Sequence, residues 1–344
     1  MEKLKANGLD FAELPIVPAD RSRALPLSYV QRGLWLTWRM DPASPAYNIP
    51  GVLHLKGKLD IAALQKSLDD LIVRHETLRT IFRLGDSGEP EQVVHSEFAG
   101  VLPTSDLRGV PDDLREAEAY SLVQAFAEMP FKLDREMPFR AALFQIADDE
   151  YRLALAVHHI AADGWSLNIL IDELAAFYEA HTTDRIVSLP PLPIQFADYA
   201  VWQRNWLEAG EKEKQFTYWR TRLGTEHPVL SLPTDRPRSV ANGSREGRYA
   251  FILPADLSDR LRAIGRTHGA SLYMVMLSLL KLMLYRFTGQ DDLRIGSPIA
   301  NRQRAETHLL VGYLTNMQVL RTQLDATKGF AHLLARVRDT VLSA

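Results

Sequence analysis

Three prolines, Pro190, Pro191 and Pro193, divide this chain more sharply than any other feature. Each locks its own φ, lacks an amide donor and pushes the residue before it away from the helical region. Neither a helix nor a central strand can therefore run through Thr182 to Pro193. A helical stretch, Phe196 to Leu223, follows. A second loop, His227 to Gly247, carries Pro228, Pro233, Pro237, Asn242, Gly243 and Gly247. The pattern on both sides of this connection is mixed α/β, and 344 residues suit two core-forming units. The expected organisation is a linker over 1–24, a first α/β subdomain over 25–181, a connecting region over 182–247 and a second subdomain over 248–344.

Hydrophobic spacing predicts the elements. Leu27, Val30, Leu34 and Trp38 recur at helical intervals, and Asp60 is placed to cap a helix with Leu64, Leu68, Leu71 and Ile72 on one face. Leu78 to Phe82, Phe139 to Ile146 and Tyr151 to His159 read as strands. Leu167 to Ala180 reads as an amphipathic helix with Leu170, Leu174, Phe177 and Tyr178 inward. In the second part, Tyr249 to Leu253 looks like a strand and Ala255 to His268 a helix. Ser271 caps an apolar helix to Phe287. Leu293 to Ser297 and Met317 to Leu324 are strand-like, and Gly329 to Leu342 is a last helix.

Composition narrows the chemistry. Lys and Arg number 40 against 43 Asp and Glu, a formal charge of -3, so no basic field favours nucleic acid or an anionic membrane. The absence of cysteine excludes disulfides, thiolate metal sites and a cysteine nucleophile, and it fits the cytosol. Met1 to Ala24 has no apolar signal core, and Ser271 to Phe287, with Lys281 and Arg286, is short for a bilayer span.

The sharpest local signal is His158-His159-Ile160-Ala161-Ala162-Asp163-Gly164-Trp165-Ser166. Leu153, Leu155 and Val157 share parity with His159 on the preceding strand, while His158 points to the other face. A strand ending where a helix begins joins a rigidly held side chain to free backbone N–H groups. His159 is a candidate general base or a hydrogen-bonding orienter of a nucleophile. Gly164 leaves room for close approach to its N–H. Metal binding is disfavoured, since adjacent strand histidines face opposite ways and no HExxH or third-ligand spacing accompanies them.

The string HHxxxDG resembles the signature of condensation domains of nonribosomal peptide synthetases, and five more stretches match that family in order. They are Leu27-Ser28-Tyr29-Val30-Gln31-Arg32-Gly33-Leu34-Trp35, Arg74-His75-Glu76-Thr77-Leu78-Arg79-Thr80 and Phe196-Ala197-Asp198-Tyr199-Ala200-Val201-Trp202. Ile295-Gly296-Ser297-Pro298-Ile299-Ala300-Asn301-Arg302 and Val311-Gly312-Tyr313-Leu314-Thr315-Asn316 follow. Gly33 stands where arginine is common, and Tyr313 where phenylalanine is usual. The GWS continuation and Leu232-Pro233-Thr234-Asp235-Arg236-Pro237 resemble the subtype taking an L-configured donor. The family's last motif, a His-Gln-Asp string followed by Pro-Phe, is absent before Ala344. The resemblance thus implies that about a quarter of the second half, with a crossover latch, is missing, which puts the activity of this chain in question.

The resemblance implies an α/β (α+β sandwich) fold of two chloramphenicol-acetyltransferase-like subdomains forming a V-shaped pseudo-dimer, the second incomplete. It implies amide bond formation between two thioesters carried on 4′-phosphopantetheine arms, with no cofactor bound by the domain itself. The partners would be an upstream donor and a downstream acceptor peptidyl carrier domain beside an adenylation domain. Among the residues, His159 is then base or positioner, Gly164 N–H a donor to developing negative charge, and Asp163 structural support. A buried carboxylate needs a partner. Arg302 is the first candidate, joining the two sequence halves, with Arg74 and Arg79 as the others. His158, Trp165 and Ser166 support the loop. Ser28 lines the tunnel that the resemblance places between the two halves or caps the first helix, Asn316 bonds across the halves, and His75 packs or hydrogen-bonds within its helix end. Trp35, Trp165 and Trp202 are expected in the core, and Arg238 and Arg245 on solvated surface. Two other functions compete: a coenzyme-A-dependent acyltransferase using the same HxxxD logic, and a non-catalytic platform that docks carriers or recruits another protein.

Overall fold

The computed structural model describes residues 14–96, 98, 100, 102–183, 185–235 and 249–344. Arg238 and Arg245, most of the expected N-terminal linker, and Arg236 and Pro237 of the second loop lie outside the described residues. The chain forms two compact units that do not follow chain order. One holds residues up to Lys212 together with Ala300–Asn316; the other holds Glu213–Ile299 and Met317–Ala344.

In the first unit, β1 (Leu25–Pro26) leads into α1 (Tyr29–Met40). Ser28 is the N-cap: its Oγ accepts the Gln31 N–H at 3.2 Å, and Gln31 Oε1 accepts the Ser28 N–H at 3.0 Å. Gln31, Leu34, Trp35 and Trp38 then fall on the buried face. Leu27 is fully buried as expected, though it precedes the cap rather than joining the helix. After β2 (Asn48–Lys56), Asp60 caps α2 (Ile61–Arg74) by accepting the Ala63 N–H at 2.9 Å, and Leu64, Leu68, Leu71 and Ile72 are buried together.

Glu76–Arg79 is a 3₁₀ turn, so the strand expected from Leu78 begins only at β3 (Thr80–Leu84). β4 (Pro90–Val94) sits between β1 and β3 in a three-stranded sheet. β5 (Thr104–Asp106), α3 (Asp112–Glu128), β6 (Phe139–Ala147) and β7 (Glu150–His158) follow. The second sheet has the order β2-β7-β6-β5, antiparallel except for β5 against β6. β7 is thus an interior strand, hydrogen-bonded on both edges and rigid where it ends at the histidine pair. α4 (Gly164–Thr183) starts three residues earlier than the periodicity predicts and buries Leu170, Glu173, Leu174 and Phe177. α5 (Phe196–Trp206) runs through a single wide turn at Leu207–Glu211, where Gly210 takes φ 117°, into α6 (Lys212–Leu223).

The second unit contains α6 beyond its first residue, α7 (Ala255–Thr267), α8 (Leu272–Thr288), β8 (Asp292–Ile299), β9 (Asn316–Gln323) beyond its first residue and α9 (Phe330–Leu342). β8 and β9 form a two-stranded sheet. Its core gathers Leu261, Val275, Leu277, Leu293, Leu320, Leu334 and Val337. The strand expected over Tyr249 to Leu253 is not formed, and Tyr249, Phe251 and Ile252 are exposed. With no strand beside it among the described residues to satisfy its amides, β-propensity alone does not make a strand. Among the described residues no single helix is long and apolar enough to cross a membrane; α7 and α8 would pass only as a pair, bent by 101°.

Lys281, in the middle of α8, is fully buried. Its Nζ donates to Leu320 O at 2.6 Å, Thr322 Oγ1 at 3.0 Å and Leu293 O at 3.3 Å. Burial pushes its pKa down from 10.5 to about 8, with Asp292 acting weakly in the opposite direction. Below pH 8 both folded and unfolded chains carry the ammonium, and the folded state bears the full cost of burying it. Between about pH 8 and 10.5 the unfolded chain binds more protons, so stability rises with pH, by up to about 3 kcal/mol. Lys281→Met, which keeps the volume and cannot titrate, should lose that rise. Urea unfolding of both proteins at about pH 7.5 and about pH 10 tests this; equal pH dependence in the two would overturn it.

Candidate active site

The loop after β7 is built around the carboxylate of Asp163. It is completely buried and accepts from Ser166 N–H (3.0 Å), Ser166 Oγ (2.7 Å) and Arg302 Nη2 (3.0 Å) on Oδ1. Oδ2 accepts from Leu314 N–H, Thr315 N–H and Thr315 Oγ1, each at 3.2 Å. Burial alone would raise the pKa of this carboxyl. The Arg302 charge and the Ser166 donors more than offset that and hold it below its ordinary value. One side chain therefore caps the start of α4 and pins the segment 300–316 to the end of β7. Arg302 is the partner the motif needed; its Nη1 also donates to Thr307 O and Leu310 O, both at 2.6 Å. Asn301, just before it, takes a positive φ of 54°, a turn conformation that asparagine tolerates. The pair lies inside the first compact unit.

Arg74 and Arg79 are engaged elsewhere. Arg74 donates to Glu173 Oε2 at 2.8 Å and Pro190 O at 2.6 Å, and Arg79 to the carbonyls of His95 and Val73. His75 caps its own helix end through its backbone N–H, which donates to Leu71 O at 3.1 Å, while its side chain bonds elsewhere. It is buried, and its Nε2 meets Glu173 Oε2 at 2.7 Å, reaching across to α4. Glu173, on the inward face of an apolar helix, gave no signal of this role in sequence.

The two histidines differ completely. His158 is buried, and its Nδ1 accepts the Ile160 N–H at 3.1 Å, so Nε2 holds the proton. Burial first, and the neighbouring His159 second, push its pKa down to about 3. It is a neutral, structural imidazole lying edge-on to Phe131. His159 is half-buried. Its backbone N–H donates to Tyr47 O at 2.8 Å and its Nδ1 to Ala162 O at 2.9 Å. A carbonyl only accepts, so the neutral ring has its lone pair on Nε2, and Nε2 has no hydrogen-bond partner among the described residues. Tyr313 packs against the ring at a centroid distance of 4.7 Å and an angle of 63°. His159 and Asp163 do not touch, so the motif is not a His–Asp dyad.

Gly164 opens α4 and is exposed, and a Cβ placed on it would meet nothing within 4 Å. Its N–H is one of the first four of the helix, which have no partner within it. Ser166 is buried and works as a junction: besides bonding Asp163, its Oγ lies 3.1 Å from both Gly312 N and Gly312 O and 3.0 Å from Arg302 Nη2. Gly312 has to be glycine, because a Cβ would sit 1.8 Å from the buried Phe196 ring. Trp165 is not a core residue: it is 47% exposed, with Nε1 donating to His308 O at 3.0 Å, because it projects from the first turn of α4 away from the buried Ser166. Trp35 is buried as expected, its Nε1 donating to Phe82 O. Trp202 is half-buried, and its Nε1 has no hydrogen-bond partner among the described residues. Ser28 is settled as the cap of α1, and Asn316 is exposed at the start of β9. Among the described residues no three His, Asp or Glu side chains converge to hold a metal ion.

The family model named Condensation domain matches residues 21–344. One of the linear gramicidin synthase proteins of Brevibacillus parabrevis is 43% identical over 344 residues, the whole of this chain and 7% of that protein. Among solved structures, the X-domain from teicoplanin biosynthesis in complex with OxyB superposes with a TM-score of 0.85 at 30% identity, over 96% of this chain and 72% of that one. The first condensation domain of the CDA synthetase superposes at 0.75 with 24% identity, over 93% and 76%, and supports the fold alone. The fold is accordingly the mixed helix-and-sheet, chloramphenicol-acetyltransferase-like fold of these domains, with open sheets. A chain built around the Asp163–Arg302 junction and matched by that model along nearly its full length belongs to the condensation-domain family.

Proposed function

We propose that this chain joins a donor aminoacyl or peptidyl thioester to the α-amine of an acceptor aminoacyl thioester, each tethered to a carrier protein. The amine nitrogen attacks the donor carbonyl carbon, a C–N bond forms and the C–S bond breaks. The donor arm leaves as a thiol and the lengthened chain stays on the acceptor arm. A thioester needs no further activation, so the protein's work is to align two arms, assist loss of the ammonium proton and receive the carbonyl's developing charge. The observation that carries the proposal is His159: the Ala162 carbonyl fixes its tautomer, which leaves the Nε2 lone pair without a protein partner and able to take that proton. The Gly164 N–H, open to approach, is the donor for the oxyanion.

The phosphopantetheine arms, the flanking carrier and adenylation domains, an L-configured donor and a cytoplasmic setting all belong to this proposal. The carrier and adenylation partners are supported by relatives named as gramicidin and phosphinothricin tripeptide synthetases, and the L-configured donor by the GWS continuation and the Leu232–Pro237 string. A recruitment role is the second reading, favoured by the likeness to an X-domain solved in complex with OxyB. The unengaged Nε2 of His159 weighs for catalysis, since a docking platform has no use for one.

The test is to load two carrier proteins with aminoacyl phosphopantetheine, add this chain and look for dipeptidyl thioester by mass spectrometry. Dipeptide on the acceptor carrier is expected. Turnover of free acyl-coenzyme A with equal efficiency would favour the alternative acyltransferase, and no transfer to either acceptor would leave the recruitment reading.

A further inference from the structure

Tyr313 is the aromatic side chain that touches the His159 imidazole, and its place is determined from both sides. Gly312, immediately before it, is buried, donates its N–H to Ser166 Oγ at 3.1 Å, and is closed against Phe196. Leu314, immediately after it, is fully buried and donates its N–H to Asp163 Oδ2. Thr315 donates to the same oxygen through backbone and side chain. Residue 313 is thus strung between two anchors that both lead to Asp163, one through Ser166 and one directly. Its ring lies half-buried across the imidazole, and its hydroxyl makes no hydrogen bond to any described residue.

A single hydrogen bond, Nδ1 to Ala162 O, selects the tautomer of His159 but leaves its ring free to rock about that bond. A ring contact at 63° opposes this rocking, because aromatic pairs prefer such tilted, edge-to-face arrangements. We propose that Tyr313 is the positioning residue of His159: its ring holds the imidazole plane so that Nε2 faces the reacting amine, and the buried Asp163 acts on the reaction through it. This rests on the amide-forming reading for the amine, but the claim about the ring stands apart from substrate. It also gives the spacing of the local string a physical meaning: the aspartate four residues after the histidine does not touch it, and instead holds the residue that does.

Two measurements test this. In the absence of substrate, the His159 ring protons in NMR spectra should show the shielding of a neighbouring aromatic ring. Tyr313→Leu should remove it and broaden the signals, and Tyr313→Phe should keep it. In the carrier-loaded assay, Tyr313→Leu should lower kcat by about 10–100-fold with KM for the carriers little changed, and Tyr313→Phe should recover most of that loss. Asp163→Asn combined with Tyr313→Leu should lose less than the product of the two single losses. Unaltered His159 signals in Tyr313→Leu would overturn the positioning role whatever the assay gives. A Phe variant as slow as the Leu variant would overturn it too, by assigning the work to the hydroxyl. Altered signals with no transfer by the parent protein would leave the positioning intact and sink the amide-forming reading instead.

Discussion

A His159→Ala variant is expected to make dipeptidyl thioester about 10²–10⁴-fold more slowly than the parent protein, the range that a positioned proton acceptor supplies. Its folding stability should change by no more than about 1 kcal/mol. The side chain is half-buried and makes one hydrogen bond, to the Ala162 carbonyl, and a single hydrogen bond is worth about 0.5–1.5 kcal/mol. The loss should fall on kcat, because Nε2 has its part in the transition state, where the attacking nitrogen gives up a proton, and not in holding the carriers. Single-turnover rates with both carriers loaded, alongside a urea titration of each protein, separate the two effects. A fall of less than tenfold would show that the imidazole only orients the amine, and that the tethered arms supply nearly all of the acceleration.

Asp163→Ala is expected to fail in the opposite way, with stability and activity lost together. Truncation strands Arg302, a buried guanidinium whose Nη2 then keeps only Ser166 Oγ, and it leaves the N–H groups of Leu314 and Ser166 without an acceptor. Removing one partner of a buried ion pair costs about 3–5 kcal/mol, because the remaining charge stays desolvated. The segment 300–316 should loosen first, since it is tied to the β7–α4 loop mainly through this carboxylate. Hydrogen exchange at Leu314 and Thr315 would report this directly. Because the folded pKa of Asp163 is depressed, its contribution is fully present above the ordinary value of 3.8 and is lost as pH falls through the lower folded value. The difference in stability between parent and Asp163→Ala should therefore shrink under strong acid. A variant that keeps parental stability while losing activity would contradict the structural role.

The contrast between these two variants follows from burial, and burial is what the linear string HHxxxDG does not show. The alternation along Tyr151 to His159 placed His158 and His159 on opposite faces; the strand ends at His158, and the two rings have different neighbours, Phe131 and Tyr313. It did not tell which face was the dry one, since β7 is interior and is buried on both sides for most of its length. Long periodic helices such as α2 and α8 were readable because their apolar faces were continuous and their caps, Asp60 and Ser271, stood at the first turn. Helix α3 was not, because only Ala119 of its seventeen residues is buried and no stripe marks it. Strand β2 was missed for a similar reason: it is an edge strand, mostly exposed, held by its register with β7 and not by a buried face of its own.

The sequence by itself carried the strand-to-helix step that presents His159, read from spacing, and the motifs whose resemblance to a known family implied the fold and Arg302 as first candidate for the buried carboxylate. These are local patterns or charge requirements, and a chain carries both along its length. Tertiary structure decided that segment 300–316 packs with the first unit, that Ser166 and Asp163 bind it there, and that Tyr313 consequently lies against the imidazole. These contacts join residues about 150 positions apart, and which of several arginines and aromatics closes such a distance depends on the packing of the whole unit.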